Sequence, residues 1–440
     1  MVAFLLLVRV AESQDCSSAN VRCVGSVQEY ATIQAAVNAA AAGDTVLVMD
    51  GNYAGFSISK SGTSSSPIVI KANGDGAVIN ADGSTGDGIF LSNVKNVVID
   101  GFTIQDVSGR CVSARNATPT SPMTNVTIQN VTCRRSGRDG FYVSELSNSL
   151  IQNNYISATG LNDSPGGLAA HGIYLANAGS KNTIIRNNTI MRDSTYPEYS
   201  ACVHINGDLS TGGDGIISGL LIEGNRFIGC YANGINMDGI QSSIIRNNLI
   251  YGVGRHAVRD YRIDGAQGPK NLQIYNNTFI VPAGVDGWGI KLTEDLGGHT
   301  IFNNILLNEG SSGGSLCVSN NSLTSNDNLM VNRMSRDGEN NIISLSTWKT
   351  QTGQDASSFT ASSATLFVSP ANSDYHLKSG SPAINTGLAG LNSVSAPSVD
   401  IEGTGRPQGS GYDIGAYEYA ENGPPPNSPP SPPTGLHVIN

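Results

Sequence analysis

Short apolar segments recur along the middle of the chain at a nearly constant spacing. Segments such as "NTIIRNNTIM", "SSIIRNNLIYG" and "NLQIYNNTFIV" share apolar residues, then asparagine, then another apolar pair, and a segment such as "HGIYL" or "CVHIN" precedes each. The repeat spacings are 32, 30, 32, 23 and 32 residues, counted from Gly140 through Gly172, Cys202, Gly234 and Ala257 to Gly289. Strands and turns repeating at this period predict an all-β parallel β-helix, a solenoid of stacked coils.

A solenoid needs closed ends, because one coil cannot bury its apolar side alone. The alanine-rich stretch "TIQAAVNAAAAGDTVLV", residues 32–48, predicts a capping helix that ends at Gly43 and is followed by the first strand. The "NN" pairs predict turns whose asparagines stack in a hydrogen-bonded ladder.

The composition divides the chain into four predicted segments. Residues 1–15 resemble a weak or clipped export signal, and their apolar run is too short to span a bilayer. Residues 30–367 form the predicted β-helix, and residues 368–419, with "DYHLKSGSPAINTG" and "YDIGAYEY", form its predicted C-terminal cap. Residues 420–440 are predicted to be a proline-rich linker and the start of a truncated module.

Alternation along the strands predicts which side chains face outward. Successive side chains of a strand point to opposite faces, so the apolar Val203 and Ile205 point inward and His204 points outward. Applied coil by coil, this rule gives an outward column of Phe90, Ser113, Tyr142, Tyr174, His204, Asn236, Arg259 and Lys291. Flanking outward positions add His171, Asn206, Asp238, His256 and Tyr261. We expect a substrate groove here, walled by residues 158–170, 192–201, 207–215 and 261–270.

The charge distribution favours an acidic ligand on this face. The whole chain has a net charge of -10, which argues against a general nucleic-acid binder. Residues 110–293 nevertheless hold 15 Lys and Arg against 12 Asp and Glu. This local positive balance indicates attraction for a polyanion.

The seven cysteines are compatible with an oxidising compartment. Cys16 with Cys23, Cys111 with Cys133, and Cys202 with Cys230 are the candidate disulfide pairs, and buried free thiols are the alternative. Cys317 is left over, and no cysteine or histidine cluster has zinc-site spacing, so no zinc site is predicted.

The "TIQAAVNAAAAGDTVLV" opening and the "SGSPAINTG … DIGAYEY" ending resemble those of secreted bacterial right-handed parallel β-helix proteins of the pectate-lyase-like superfamily. The resemblance spans about residues 30–419. It implies a right-handed solenoid, bacterial origin and extracellular action on a polysaccharide. Arg259 and Lys291 also resemble, in reversed chain order, the Lys/Arg pair of alginate- and chondroitin-cleaving β-helix lyases.

Some motifs of the superfamily are absent from this sequence. The "DPH" motif of mannuronan epimerases is missing, as are the "GHG" and "RIK" motifs of polygalacturonases. The resemblance to pectate lyases makes Ca²⁺ a candidate cofactor, but no convincing carboxylate cluster is present. Asp208, Asp214 and Asp238 are candidate ligands.

The outward column predicts a monomeric, extracellular polysaccharide lyase that cleaves a uronate glycan such as alginate or pectate by β-elimination. This reaction needs a clamp for the sugar carboxylate, a base for the C5 proton and an acid for the leaving oxygen. Arg259 is the expected clamp, assisted by Asn236, and His204 is the expected base. The expected acid is Tyr174, and the competing base is Lys291. The further substrate-binding candidates are Tyr142, His171, Asp238, His256 and Arg262.

Two other functions remain open from the sequence. A β-helix glycoside hydrolase would use two carboxylates, with Asp238 paired with Asp208 or Asp260. A non-catalytic glycan-binding surface solenoid would tolerate changes in the column without losing any turnover.

Overall fold

The computed structural model describes residues 16–161, 170–191 and 201–421 of the chain. The predicted export segment 1–15, most of the predicted linker, and the groove-loop residues 162–169 and 192–200 lie outside the described residues. Within these ranges, no helix combines the length and apolar character needed to cross a membrane.

Three long parallel sheets form a right-handed β-helix, which confirms the predicted fold class. Sheet 1 has 11 strands. They are Phe56–Ile58, Ile89–Ser92, Val112–Arg115, Phe141–Ser144, Ile173–Ala176, Val203–Asn206, Ile235–Asp238, Val258–Tyr261, Gly287–Leu292, Gly313–Val318 and Met334–Ser335. A typical coil contributes one strand to sheet 1, then one to sheet 2 and one to sheet 3.

Sheet 2 has 13 strands and sheet 3 has 12. The strands of sheet 2 are Val21–Val24, Thr45–Val48, Ile68–Ala72, Lys95–Asp100, Met123–Gln129, Leu146–Ser147, Leu150–Gln152, Ile184–Arg186, Leu221–Glu223, Ile244–Arg246, Gln273–Tyr275, His299–Phe302 and Leu323–Asn326. Those of sheet 3 are Gly51–Ala54, Ala77–Ala81, Thr103–Gln105, Thr132–Ser136, Tyr155–Thr159, Thr189–Met191, Arg226–Ile228, Leu249–Tyr251, Thr278–Val281, Ile305–Asn308, Leu329–Met330 and Phe359–Thr360.

The remaining elements are short. The helices are α1 (Ile33–Ala39), α2 (Leu345–Thr352) and α3 (Ser363–Leu366), with 3-10 turns at Leu209–Thr211 and Pro370–Asn372. Ile217–Ser218 pairs in parallel with Ile240–Gln241, whereas Phe367–Ser369 with Asp374–Leu377 and Gly390–Leu391 with Val394–Ser395 are antiparallel.

Apolar residues from every coil fill the interior of the solenoid. The predicted inward residues, for example Phe141, Val203, Ile205 and Ile290, are completely buried in one continuous cluster. This confirms the alternation derived from the sequence, because each strand turns one set of side chains into the shared core.

The asparagine pairs fulfil the two roles predicted for them. The first asparagine of each pair, such as Asn187 or Asn247, has a positive φ of 54° or 53°, which asparagine tolerates better than most residues. The second forms a buried ladder in which each Nδ2 donates to the next Oδ1 at 2.9–3.0 Å. The ladder consists of Asn154, Asn188, Asn248, Asn277 and Asn304 from the pairs, together with Asn225, which follows Gly224, and Asn328, which follows Asp327.

The ends of the solenoid differ from the prediction in two details. Helix α1 begins after Thr32, whose hydroxyl accepts a hydrogen bond from Ala35 N–H, but it ends at Ala39 and not at Gly43. The first strand is Val21–Val24 rather than the strand after Gly43, and it pairs in parallel with Thr45–Val48.

The C-terminal segment lies along the side of the solenoid and does not close its end. Trp348 of α2 is fully buried in the main core, so α2 covers the last coils. Residues 366–417 instead build a second core against outward residues of sheet 3, such as Ile280 and Leu307. The prediction of residues 368–419 as an end cap is therefore corrected to a lateral clasp.

Three disulfides join the candidate cysteine pairs named from the sequence. Cys16 bonds with Cys23, Cys111 with Cys133, and Cys202 with Cys230. Cys317 is free and buried. The last two bonds each join two segments of one coil.

Removing one rung of the asparagine ladder should destabilise the fold. Asn248 donates to the Ile222 carbonyl and to Asn277, and accepts from Asn225. Asn248→Ala leaves these buried groups unpaired, at about 1–3 kcal/mol for each unsatisfied group. We expect the urea unfolding midpoint to fall clearly, whereas Asn80→Ala, which removes one exposed bond to Asn52, should leave it nearly unchanged. Equal midpoints for the two variants would contradict a structural ladder.

Candidate functional site

The strand register of sheet 1 aligns the predicted outward column. Tyr142 pairs with Tyr174, Tyr174 with His204, and His204 with Asn236. The alignment continues through Arg259 to Lys291. Neighbouring strands lie about 4.8 Å apart, so side chains two coils away from each other are separated by about 10 Å.

A cavity of about 540 Å³ opens over the part of the column that carries the aromatic residues. Its described lining residues are Arg110, Arg115, Arg138, Asp139, Tyr142, Ala170, His171, Tyr174, His204, Asn206 and Asp264. Four predicted site residues therefore meet here, namely Tyr142, His171, Tyr174 and His204. Three arginines and a cluster of tyrosine and histidine rings therefore line the same cavity.

The four rings of the cavity pack against one another. His171 and His204 are stacked with their ring centroids 4.6 Å apart and their planes 19° apart. The Tyr174 ring lies edge-on to His204 at 4.7 Å and to Tyr142 at 5.3 Å. This mutual packing fixes the positions of the hydroxyl and imidazole groups at the cavity wall.

Burial keeps both imidazoles uncharged at neutral pH. Loss of solvent lowers the pKa of His171 to about 4, and the same effect, reinforced by His171, lowers the pKa of His204 to about 3. Nδ1 of His171 accepts a hydrogen bond from the Ala201 N–H at 3.2 Å, so its proton in the neutral form lies on Nε2. Burial also raises the pKa of Tyr174 to about 12.

Two of the three arginines are held in place by carboxylates and by aromatic faces. Arg110 Nε donates to Asp139 at 3.0 Å and its guanidinium lies 4.6 Å from the centre of the Tyr142 ring. Arg115 donates to Asp87 at 2.9 Å. Arg138 is exposed, and no ion pair to it occurs among the residues that the structure describes. The cavity thus presents oriented cations beside neutral rings.

Asp264 and Asn206 form the opposite part of the lining. Asn206 Nδ2 donates to Asp264 Oδ2 at 3.0 Å and lies 3.5 Å from the Tyr174 hydroxyl. Asp264 belongs to a loop that Asp238 anchors, because the Asp238 carboxylate accepts from the N–H groups of Ile263, Asp264 and Gly265. Asp238 is only 1% exposed. Asp238 therefore holds this loop in place, and the geometry does not support the substrate contact predicted for it.

Arg259 and Lys291 do not line the cavity, although they continue the column. The Arg259 guanidinium lies 4.1 Å from the centre of the Tyr261 ring. Lys291 is 8% exposed, and its ammonium group is 2.5 Å from Glu339 Oε2. An ion-paired, buried ammonium is a poor base, so we no longer assign Lys291 that role.

Three other predicted residues also lie outside the cavity lining. His256 is 2% exposed, and its Nδ1 accepts the Trp288 N–H. Arg262 projects to solvent, with its Nε 4.0 Å from Glu294. Asn236 lies behind His204, with its Nδ2 2.8 Å from His204 Nδ1. Asn236 therefore supports a lining residue.

The carboxylates named for calcium or for hydrolysis are committed to other contacts. Asp208 caps a 3-10 turn through Ser210 N–H, Asp214 pairs with Lys181, and Asp238 binds its loop. These three do not converge, and the described residues contain no group of three or more metal-ligating side chains. The candidate ligands do not fit a calcium ion.

Asp260 lies inside the solenoid and cannot reach a substrate. It is completely buried, in register with Met237 and Leu292 of the apolar core. Burial raises its pKa far above the ordinary range of a carboxyl group. The hydrolase pair of Asp238 with Asp208 or Asp260 is therefore not supported by the geometry.

The sequence did not point to Arg110, Arg115, Arg138, Asp139 or Asp264 as site residues. Arg110 precedes the strand Val112–Arg115, Arg115 ends that strand, and Arg138 and Asp139 lie shortly before the next strand of the same sheet. For the three arginines, the sequence signal was the excess of basic residues that begins at Arg110. Asp264 lies in a loop that was predicted to wall the groove.

Comparisons with known proteins identify the fold. A family model described as a right handed beta helix region matches residues 68–212. The pectate lyase Pel9A is similar in structure, with a TM-score of 0.51 and 15% identity over 87% of this chain and 90% of its own. PfbA, a surface adhesin of Streptococcus pneumoniae, gives a TM-score of 0.52 and 16% identity over 68% of this chain and 80% of its own.

An alginate lyase from Paenibacillus sp. str. FPU-7 shows 19% identity and a TM-score of 0.47, covering 67% of this chain and 95% of its own. No curated protein matches the sequence. At identities this low, structural similarity shows the β-helix fold but not the activity. The activity therefore has to be inferred from the chemistry of the cavity.

The neutrality of the cavity histidines can be measured directly. The imidazole NMR signals of His171 and His204 should shift by no more than about a tenth of a full titration between pH 8 and pH 5, because their pKa values lie near 4 and 3. His376 is an internal control. Burial opposes its protonation, but hydrogen bonds to Glu402 and Asp374 outweigh burial and raise its pKa, so its signal should shift within this pH range. Titration of His204 near pH 6.5 would show that its ring is solvated.

Proposed function

We propose that this protein is an extracellular polysaccharide lyase that cleaves an anionic, uronate-containing glycan by β-elimination. The observation that carries the proposal is the cavity on sheet 1, where three arginines surround the stacked rings of Tyr142, Tyr174, His171 and His204. A uronate needs cations for its carboxylate, and the elimination needs a proton-transfer group beside C5. Both requirements are met by residues of one cavity.

Arg138 and Arg110 are the carboxylate-binding groups that we propose in place of Arg259. A guanidinium can bind a carboxylate through two parallel hydrogen bonds. Arg110 is already oriented by Asp139 and by the Tyr142 ring, whereas Arg138 is exposed at the cavity. Neutralising the sugar carboxylate makes the C5 proton more acidic, so these arginines would lower the barrier to its removal.

The expected division of proton transfer between His204 and Tyr174 also changes. A base with a pKa near 3 has little affinity for a carbon-bound proton, so His204 is poorly suited to remove it. We propose instead that the Tyr174 phenolate takes the C5 proton. The C4–O4 bond then breaks with its electron pair moving to oxygen, a C4–C5 double bond forms, and Tyr174 returns the proton to the leaving oxygen.

Extracellular action is part of the proposal. Three disulfides suit an oxidising compartment. An acidic polysaccharide is the partner that the arginine-rich cavity fits.

Substrate class and reaction type can be tested together. Alginate, pectate, glycosaminoglycans and neutral glycans should be screened for new ultraviolet absorbance and for reducing ends. We expect both signals to rise together on a uronate glycan. Reducing ends without absorbance would mean hydrolysis, with Asp139 and Asp264 as the carboxylates of the cavity. Binding without turnover would favour a glycan-binding solenoid.

Two substitutions test the proposed roles. Tyr174→Phe keeps the ring packing but removes the hydroxyl, and it should lower kcat by about a hundred- to ten-thousandfold. Arg138→Ala should lower kcat/KM by about a hundred- to a thousandfold. Arg186→Ala is the matched control, because Arg186 lies on sheet 2 and bonds to Gln152. A loss in the control equal to that of Arg138→Ala would refute the carboxylate clamp.

The pH dependence of the rate separates Tyr174 from His204 as the base. Because burial raises the pKa of Tyr174 to about 12, the phenolate fraction grows about tenfold per pH unit below that value. We expect log kcat/KM to rise with pH from 7 to 9. A histidine with a pKa of about 3 is already deprotonated throughout this range, so a flat profile would argue for a base other than Tyr174.

A further inference from the structure

A chain of side-chain amides runs behind His204, away from the cavity. It begins at the backbone N–H of His256, which donates to Asn233 Oδ1 at 3.0 Å. A backbone N–H group can only donate, so the oxygen of Asn233 must face it. This bond settles the orientation of the Asn233 amide, which is 5% exposed.

The orientation passes from Asn233 to Asn236. With its oxygen facing His256, Asn233 turns its Nδ2 to Asn236 Oδ1 at 2.8 Å. Asn236 must therefore accept with its oxygen and donate with its nitrogen. Its Nδ2 lies 2.8 Å from His204 Nδ1 and 2.9 Å from the Tyr261 hydroxyl.

We infer that Asn233 is a positioning residue that fixes the proton of neutral His204 on Nε2. Nδ1 of His204 faces a donor, so it must be the unprotonated nitrogen of the ring. Nε2 then carries the hydrogen and is the nitrogen left to meet a ligand in the cavity. His204 offers a substrate an N–H donor and not a lone pair.

The coil that carries Tyr142 provides a comparison within the same molecule. Asp139 stands two residues before its strand, as Asn233 does, and its Oδ1 accepts the His171 N–H at 2.9 Å. Asp139 uses its second oxygen to accept from Arg110. An aspartate thus satisfies the backbone contact at this position, but only an asparagine can also donate to the next amide. The amide of Asn233 therefore acts on His204 through the amide of Asn236.

This role deepens the proposed lyase function and rests on it for its catalytic meaning. As C5 loses its proton, negative charge develops on the uronate carboxylate. A fixed N–H donor from His204 would stabilise that charge beside the arginines, while Tyr174 moves the proton. Reversing the tautomer should therefore lower kcat more than it raises KM.

The tautomer can be read from long-range ¹H–¹⁵N correlation spectra of the full chain at pH 7, assigned by the loss of signals in His204→Gln. The wild-type protein should show a protonated Nε2 and an unprotonated Nδ1 for His204. Asn233→Asp keeps an acceptor for His256 N–H but cannot donate to Asn236. The Asn236 amide should then reverse, and the proton of His204 should move to Nδ1.

Tyr261→Phe is the matched control, because it removes another bond of the same amide without reversing it. The tautomer should be unchanged in that variant. A wild-type His204 protonated on Nδ1, or an unchanged tautomer in folded Asn233→Asp, would overturn the inference. If Asn233→Asp does not fold, Asn233→Ala takes its place, because it also removes the Nδ2 that donates to Asn236. A folded Asn233→Ala with the wild-type tautomer would equally overturn the inference. If the tautomer reverses in Asn233→Asp but the wild-type protein cleaves no glycan, the inference is upheld and the proposed function is refuted.

Discussion

In-register parallel pairing of the strands in sheet 1 is the constraint on which the candidate site depends. Each residue of a strand lies directly beside its counterpart in the next coil, so Tyr142, Tyr174, His204 and Asn236 form one row. The row would be lost if one coil slipped by a single residue, because alternate side chains face opposite sides. The asparagine ladder and the shared core hold that register, and the site is therefore as rigid as the solenoid itself.

The second constraint is the low polarity of the site's surroundings. Four rings packed together exclude water from the imidazoles of His171 and His204, and this exclusion favours their neutral forms. The positive charge of the cavity therefore comes from arginines, whose charge withstands burial. This division suits the acidic substrate that we propose, since cations would attract its carboxylates and neutral rings would offer directional hydrogen bonds.

Sequence periodicity predicted the coils, the inward residues and the outward column, since each follows from local alternation and repetition. It did not predict which part of the column lines the cavity. Arg259 and Lys291 occupy the same row as His204, yet Tyr261 and Glu339 cover them, and such contacts depend on residues far apart in sequence. Nothing in the sequence indicates that the Asp238 carboxylate is occupied, because the three backbone N–H groups that bind it lie in a loop 25–27 residues further along the chain. Arg138 was missed because it precedes its strand and the alternation rule does not reach it.

The lateral clasp formed by the C-terminal segment changes how the solenoid holds together. Stacked coils ordinarily contact only their neighbours, so such an array can fray one coil at a time. Here Glu402 bonds to Arg226, Val399 to Asn247, and Leu388 to Asn303, across separations of 176, 152 and 85 residues. The lateral clasp therefore ties together several successive coils, which makes their opening a single cooperative event. It is also synthesised after all of them, so outer apolar residues such as Ile280 stay uncovered until translation has passed the last coil.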